Sequence, residues 1–292
     1  MPVVRIGLAQ LDLGALEIES NVERTVSAID QVAADGGRIV VLPELANSGY
    51  VLEHSLLRDH AEHVDAPGPA LTAWSERAAH HGITVVAGFA ERLGEHLYNS
   101  AVVYGPDGRR LAHYRKLHLF AGESQVFAPG DVGLPIVEVD GVRLGVVICY
   151  DLRFPEALRI LAVRGAQVVA VPTAWVGGFD RDVVLGADIG QVRTARVMAN
   201  LNSIVLACAS QVGQTGPHSF LGSSVVIDAF GNDVVPPAGR DDERVILVDV
   251  DLDTVSLARD RGEGMSPLEQ RRTDVYGELL GYSDPAASAA HS

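Results

Sequence analysis

Several familiar chemistries lack their residues in this chain. Of 292 residues only two are cysteine, Cys149 and Cys208, too few for a disulfide framework. The motifs G-x-S-x-G, the P-loop and G-x-G-x-x-G are all missing, so serine hydrolysis and nucleotide binding have no support. No apolar stretch reaches the roughly 18 uninterrupted residues of a membrane span, and none of the basic runs that grip phosphate is present. A formal net charge of -15 repels nucleic acid and anionic lipid, which disfavours both as partners. The opening MPVVRIGLAQLDL has neither the basic start nor the cleavage site of a secretory signal and reads as a first β-strand, so the expected location is cytoplasmic.

Lysine is the scarcest charged residue. Lys116 is the only one among 23 basic residues, the rest being arginine. One reading is the chance survival of a surface lysine. The sharper reading is that the site needs a compact ammonium on a flexible stem, which a planar guanidinium does not replace. Histidines His54, His60 and His63 in EHSLLRDHAEH match no familiar zinc spacing and read as a charged surface segment, so no metal site is expected.

What is present is a 47% hydrophobic chain, enough for a large core, in which strand-like runs alternate with helix-like stretches. That alternation predicts an α/β fold. RIGLAQLDL is a strand, IESNVERTVSAIDQVAADGG a helix ended by Gly-Gly, and RIVVLPELANSGY a buried strand running into a loop. A second helix and strand follow in ALTAWSERAAHHG and ITVVAGFAER, then a hairpin turning at Gly105-Pro106-Asp107-Gly108 and leading to Lys116. PIVEVDGVRLGVVI supplies a short hairpin that ends at Cys149, just before a helix beginning near Pro155. Cys208, in SIVLACAS, reads as a buried inert thiol. No linker or fixed-period repeat divides the chain, so 1–292 is expected to be a single domain. Its polar tail, from about residue 255, is expected to pack on the body or on a partner.

Strand ends opening into loops are where α/β proteins place reactive groups, and Glu44, Cys149 and Trp175 each follow such a strand. Taken singly, each reads as an ordinary turn residue; together with the lone lysine they form a device for acyl transfer. An ammonium favours a thiolate and stabilises the charge that develops on a substrate oxygen. A carboxylate takes the thiol proton, passes one to the leaving amine and later activates water. The backbone N–H of Tyr150, where the strand gives way to a helix, offers a further donor to that oxygen.

The segments LPELANSGY, YRKLHLF and ICYDLRFPE, in that order, resemble the three signature segments of the nitrilase-like carbon–nitrogen hydrolases. The similarity runs from RIGLAQ to the strands near residue 230. It implies a Glu-Lys-Cys triad of Glu44, Lys116 and Cys149, a four-layer α-β-β-α sandwich, no cofactor, and pairing into homodimers or larger homo-oligomers through a helical face and the tail. It also implies that Glu123, in GESQVFAPG, assists Glu44 in positioning the substrate; a loop carboxylate satisfied by nearby amides is the alternative. His118 is expected to support Lys116 rather than react.

True nitrilases of this family follow the cysteine with Trp-Glu, and this chain has Tyr150-Asp151. Carbamoylases carry paired arginines there, and here Leu152 precedes Arg153. The expected substrate is therefore a small amide, the alternatives being a nitrile, an N-carbamoyl compound, or a non-catalytic binding role for the fold. Tyr50, Tyr150 and Trp175 are candidate pocket walls, although packing explains Tyr50 and Trp175 equally well. Asp180, Asp182 and Asp188, in the loop after Trp175, are either a welcome for a cationic substrate or solvated surface.

Overall fold

The structure, a computed structural model, describes residues 3–177 and 188–279. Strands β1 (Val3–Asp12), β2 (Ile39–Val41), β3 (Thr84–Leu93), β4 (His96–Tyr104) and β5 (Arg110–Arg115) form one half of a continuous sheet, and β6 (Ile136–Val139), β7 (Val142–Val146), β8 (Val168–Thr173) and β9 (Val205–Val212) form the other. The halves join where Leu11 and Asp12 at the end of β1 pair in parallel with Gln211 and Val212 at the end of β9. A two-stranded ribbon of β10 (Gln214–Thr215) and β11 (His218–Ser219) follows β9. Further along, β12 (Val225–Ile227) pairs antiparallel with β9, and β13 (Arg244–Asp251) covers the length of β1.

Helices cover both outer faces. After α1 (Ile18–Ala34) and a one-turn α2 (His54–Leu57), α3 (Pro69–His81) packs beside α1 over the first half. The other half carries α4 (Pro155–Val163) and α5 (Gly190–Asn202), so the layers run α-β-β-α, as the resemblance implied. The inner strands are apolar on both sides because each half is covered twice: Val40, Val85 and Ala87 face α1 and α3, whereas Val41, Val86 and Val171 meet in the core between the halves.

Local signals account for the helix ends. Pro69 and Pro155 open α3 and α4 at a position that needs no N–H donor, and Gly82 closes α3 in the left-handed region. The sequence-expected hairpin turns at 105–108, with Gly108 at φ +76. The tail begins by packing on the body: α6 (Asp253–Arg259) buries Val255 and Ala258, and Ser203 Oγ donates to the Ala258 carbonyl at 3.0 Å. The last described element is α7 (Thr273–Leu279). No helix among the described residues is long and apolar enough to cross a membrane.

Candidate active site

Strand ends of both halves converge on one point. Glu44 lies three residues beyond β2, Lys116 directly after β5, and Cys149 three residues beyond β7. Glu44 can sit there because Gly88 of β3 has no side chain: a Cβ at that position would lie 2.6 Å from Glu44 Cα and 2.7 Å from the Pro43 carbonyl. Gly130 does the same for Lys116, since a Cβ there would stand 2.0 Å from the Arg115 carbonyl.

The lone lysine is wholly buried. Its Nζ lies 2.6 Å from Glu44 Oε1 and 2.8 Å from Glu123 Oε1. Glu123, on a 3-10 turn (Ala121–Gln125), also accepts from Tyr50 OH at 2.7 Å and, through Oε2, from the Phe120 backbone N–H at 2.9 Å. Asn99 Nδ2 donates to Glu44 Oε1 at 2.7 Å, while Glu44 Oε2 has no hydrogen-bond partner among the described residues. Burial acts to lower the Lys116 pKa but is outweighed by Glu123 and Glu44, so the ammonium stays charged. Burial raises Glu44, with the charge of Glu123 adding to it and Lys116 opposing.

Cys149 opens a second 3-10 turn (Cys149–Arg153) with φ at +43, in the left-handed region that a non-glycine residue enters at a cost of about 1 kcal/mol. The turn lifts the half-buried thiol to the floor of a pocket, and the Ala174 backbone N–H is aimed at its sulfur. Burial and then the charge of Glu44 push this thiol well above its ordinary pKa, and Lys116 only partly offsets them. Lys116 thus favours the thiolate, as expected of an ammonium there, but its pull is the smaller one. Lys116 is already engaged by two carboxylates, and a third anion in the cluster is disfavoured.

Of the expected wall residues, Tyr50, Tyr150 and Trp175 all line this pocket, together with Phe120, Arg153, Gln191 and Thr194. The cleft holds about 450 Å³ of empty space, open solvent at its mouth included. Trp175 is also fixed from behind by a 3.2 Å bond from its backbone N–H to Ser210 Oγ. Asp180 and Asp182 lie outside the described residues. Asp188 makes a 2.6 Å pair with Arg196 and so serves the body of the protein. No group of three or more His, Cys, Asp or Glu side chains among the described residues is arranged to hold a metal ion.

Sequence reasoning missed the supports. Asp151 is fully buried and accepts from Ile148 N–H, Tyr114 OH and the His118 backbone N–H, and pairs with His118 Nδ1. It therefore bridges the cysteine turn and the lysine segment. His118, expected beside Lys116 as a support, pairs with Asp151 and has its ring stacked on Phe154 at a centroid distance of 3.5 Å. Asn99 and Gln211 were also overlooked; Gln211 Nε2 donates to the Glu44 carbonyl at 2.7 Å. Polar residues inside otherwise apolar strands were the available signal for both.

Known proteins resemble this chain over most of its length. A nitrilase of Pyrococcus abyssi is 32% identical over 251 residues, covering 86% of this chain and 90% of its own. The omega-amidase NIT2 of Danio rerio is 32% identical over 287 residues, covering 94% and 97%. Among solved structures, an amidase from Nesterenkonia sp. AN1, captured as a cysteine-to-alanine variant in complex with butyramide, superposes with a TM-score of 0.78 at 28% identity, covering 95% of this chain and 97% of that one. The profile of the carbon-nitrogen hydrolase family matches residues 5–260, and with that extent of similarity the chain belongs to this family.

Proposed function

We propose that the protein hydrolyses the carbon–nitrogen bond of small primary amides through a thioester on Cys149, with Glu44 as base and Lys116 as the electrostatic partner. One observation carries the reading: the Cys149 thiol lines a mainly apolar pocket and lies close enough to the buried Glu44 carboxylate, which has one oxygen without a partner among the described residues, to feel its charge. Glu44 Oε2 takes the thiol proton as sulfur attacks the carbonyl carbon. Lys116 and the Tyr150 N–H stabilise the oxyanion. The proton passes to the amide nitrogen, the carbon–nitrogen bond breaks, and ammonia leaves. Glu44 then takes a proton from water, which attacks the thioester and releases the carboxylic acid and the thiol. Glu123, held by Tyr50 and the Phe120 N–H, fixes Lys116 from its other side.

The test is ammonia release from acetamide, propionamide and butyramide, with matched nitriles and N-carbamoyl amino acids as competitors and Cys149→Ala as control. Turnover of the amides with an acyl mass trapped on Cys149 is expected. Turnover confined to the nitriles or carbamoyl compounds overturns the reading. A second reading concerns the acyl group. Arg153 is the only cation among the described residues of the pocket wall, which favours a carboxylate at the far end of the substrate, as in a monoamide of a dicarboxylic acid. The name of the omega-amidase relative points the same way. Preference for succinamate over butyramide, lost in Arg153→Leu, is the expected result.

The assembly belongs to the same proposal. Ile160 and Val163 of α4 and Val197 and Leu201 of α5 are each about half exposed on neighbouring helices, an apolar face suited to a second copy. Light scattering is expected to give about twice the 31.0 kDa chain mass, falling to that of the single chain in a Val197→Glu, Leu201→Glu variant. A cytoplasmic location is supported by two free thiols, one of them needed reduced for catalysis.

A further inference from the structure

Glu44 is held unevenly. Both donors that reach its carboxylate, Lys116 Nζ at 2.6 Å and Asn99 Nδ2 at 2.7 Å, converge on Oε1. Oε2 is equally buried and meets no donor among the described residues. A carboxylate oxygen has two lone-pair sites, so Oε1 is saturated and Oε2 is the oxygen left to accept a proton. The orientation of the Asn99 amide follows from the same contact, because the reverse would set its carbonyl oxygen against the carboxylate.

Asn99 is 1% exposed, in the middle of β4, and its backbone carbonyl accepts the Lys116 N–H at 2.8 Å. That second bond survives any substitution of the side chain. The backbone of Glu44 is placed by other contacts: Gln211 Nε2 on its carbonyl at 2.7 Å, and its own N–H on the Thr173 carbonyl at 3.3 Å. The Asn99 side chain is therefore not needed to locate the residue. What it uniquely touches is the carboxylate.

We infer that Asn99 is a positioning residue which, by filling the second site on Glu44 Oε1, confines the mobile proton to Oε2 and sets the pH at which the base ionises. The inference rests on the reading of Glu44 as the base. The other titratable groups facing Glu44 are Lys116, after β5, Glu123, on its 3-10 turn, Tyr50, in the loop after β2, and Cys149, on the turn after β7; all remain in Asn99 variants. A hydrogen bond to the charged form favours that form, and Asn99 does pull the Glu44 pKa down against the larger effect of burial. Without it, Oε1 becomes a second protonation site and Glu44 ionises at higher pH.

The variants are Asn99→Leu, close in volume but without a donor, and Asn99→Asp, close in shape with a second carboxylate in place of the donor. The measurement is kcat/KM for butyramide against pH, with Glu44→Gln as reference. The acid limb is expected to move up by about one pH unit in Asn99→Leu and further in Asn99→Asp, the size expected from losing one hydrogen bond to a charged group. Well below the midpoint activity should fall about tenfold, and it should recover toward alkaline pH. A merely structural role lowers the profile at every pH alike. Should Asn99→Leu fail to fold, Asn99→Asp decides. An unmoved acid limb with Glu44→Gln inactive overturns the role of Asn99 alone, whereas an active Glu44→Gln overturns the base itself and this inference with it.

Discussion

Asp151 Oδ1 lies 2.8 Å from His118 Nδ1, a contact that ties the turn carrying the nucleophile to the segment carrying the lysine. The other oxygen of the same carboxylate accepts the Ile148 N–H at 2.9 Å and the Tyr114 hydroxyl at 2.7 Å. One buried group thus steadies the residue before Cys149 and residues on both sides of Lys116. Since Cys149 occupies the left-handed region, a backbone it would leave if released, Asp151→Ala is expected to lower kcat/KM by roughly 100-fold, the cost of displacing a reacting atom by about an ångström. Iodoacetamide labelling of Cys149 should slow with it. Unchanged turnover and labelling would show that the turn holds itself.

Lys116→Arg is expected to be as damaging as loss of the charge. The ammonium fills a site with no exposed surface between two carboxylate oxygens at 2.6 and 2.8 Å, and a guanidinium needs more room there than the closed cluster has. A fall in kcat of at least 100-fold, read from ammonia release, is the expected result. Retention of most activity would mean that a cation suffices and that its shape is irrelevant.

Gly88→Ala tests a contact no motif announces. The added methyl would meet the Glu44 backbone at 2.6 Å, so the loop must shift. Far-UV circular dichroism should stay native while kcat drops about 100-fold. A fully active alanine variant would refute the close approach.

Glu91, near the end of β3, has none of its side chain exposed. It pairs with both Arg115 and His113 and accepts from Ser100 Oγ. Burial acts to raise its pKa, but the bonds from His113, Arg115 and Ser100 win and pull it down to about 2. A folded-state pKa below the unfolded value of about 4.3 means that this carboxylate contributes stability above that value, and loses it as pH falls toward about 2. Glu91→Gln leaves Arg115 with the exposed Asp131 as its one carboxylate partner among the described residues and should cost about 3 kcal/mol in urea denaturation at neutral pH, with the difference from the parent shrinking in acid. A variant as stable as the parent at pH 7 would contradict this.

The reactive residues were legible because they stand at ends of apolar strands, where a Glu, a Lys or a Cys interrupts a pattern with no need of it. The layers were legible for a similar reason, since runs such as VVAGFA and SIVLACA alternate with helix-period stretches. The supports were not. Asp151 reads as a turn residue until Tyr114, far off in the chain, is seen to donate to it. Asn99 reads as one polar residue in a strand, and Gly88 as a weak point in another, because their partners come from β2 and its loop. The covering of β1 by β13, more than 230 residues later, likewise depends on pairing that local pattern does not encode.

The pH profile is the sharpest test of how the thiol is activated. If Lys116 held Cys149 as a thiolate, the enzyme would show thiolate absorbance near neutral pH, and its rate would not depend on a carboxylate. The geometry points elsewhere: two of the three ammonium N–H groups are taken by Glu44 and Glu123, which leaves one for an oxyanion, and burial together with the Glu44 charge drives the thiol pKa up. On the proposed mechanism the thiol keeps its proton until it passes to Glu44 as sulfur attacks. Glu44 must be ionised to act, and burial raises its pKa, so kcat/KM should fall on acidification with a midpoint above the ordinary glutamate value of about 4.3. On the alkaline side no limb from the thiol is expected through about pH 9, because burial and the Glu44 charge push the thiol well above its ordinary value of about 9. Difference absorbance at 240 nm between the parent and Cys149→Ala, recorded across the same range, reads the thiolate directly. A thiolate signal already present at pH 7, or an acid limb that survives in Glu44→Gln, would return the activation of Cys149 to the lysine.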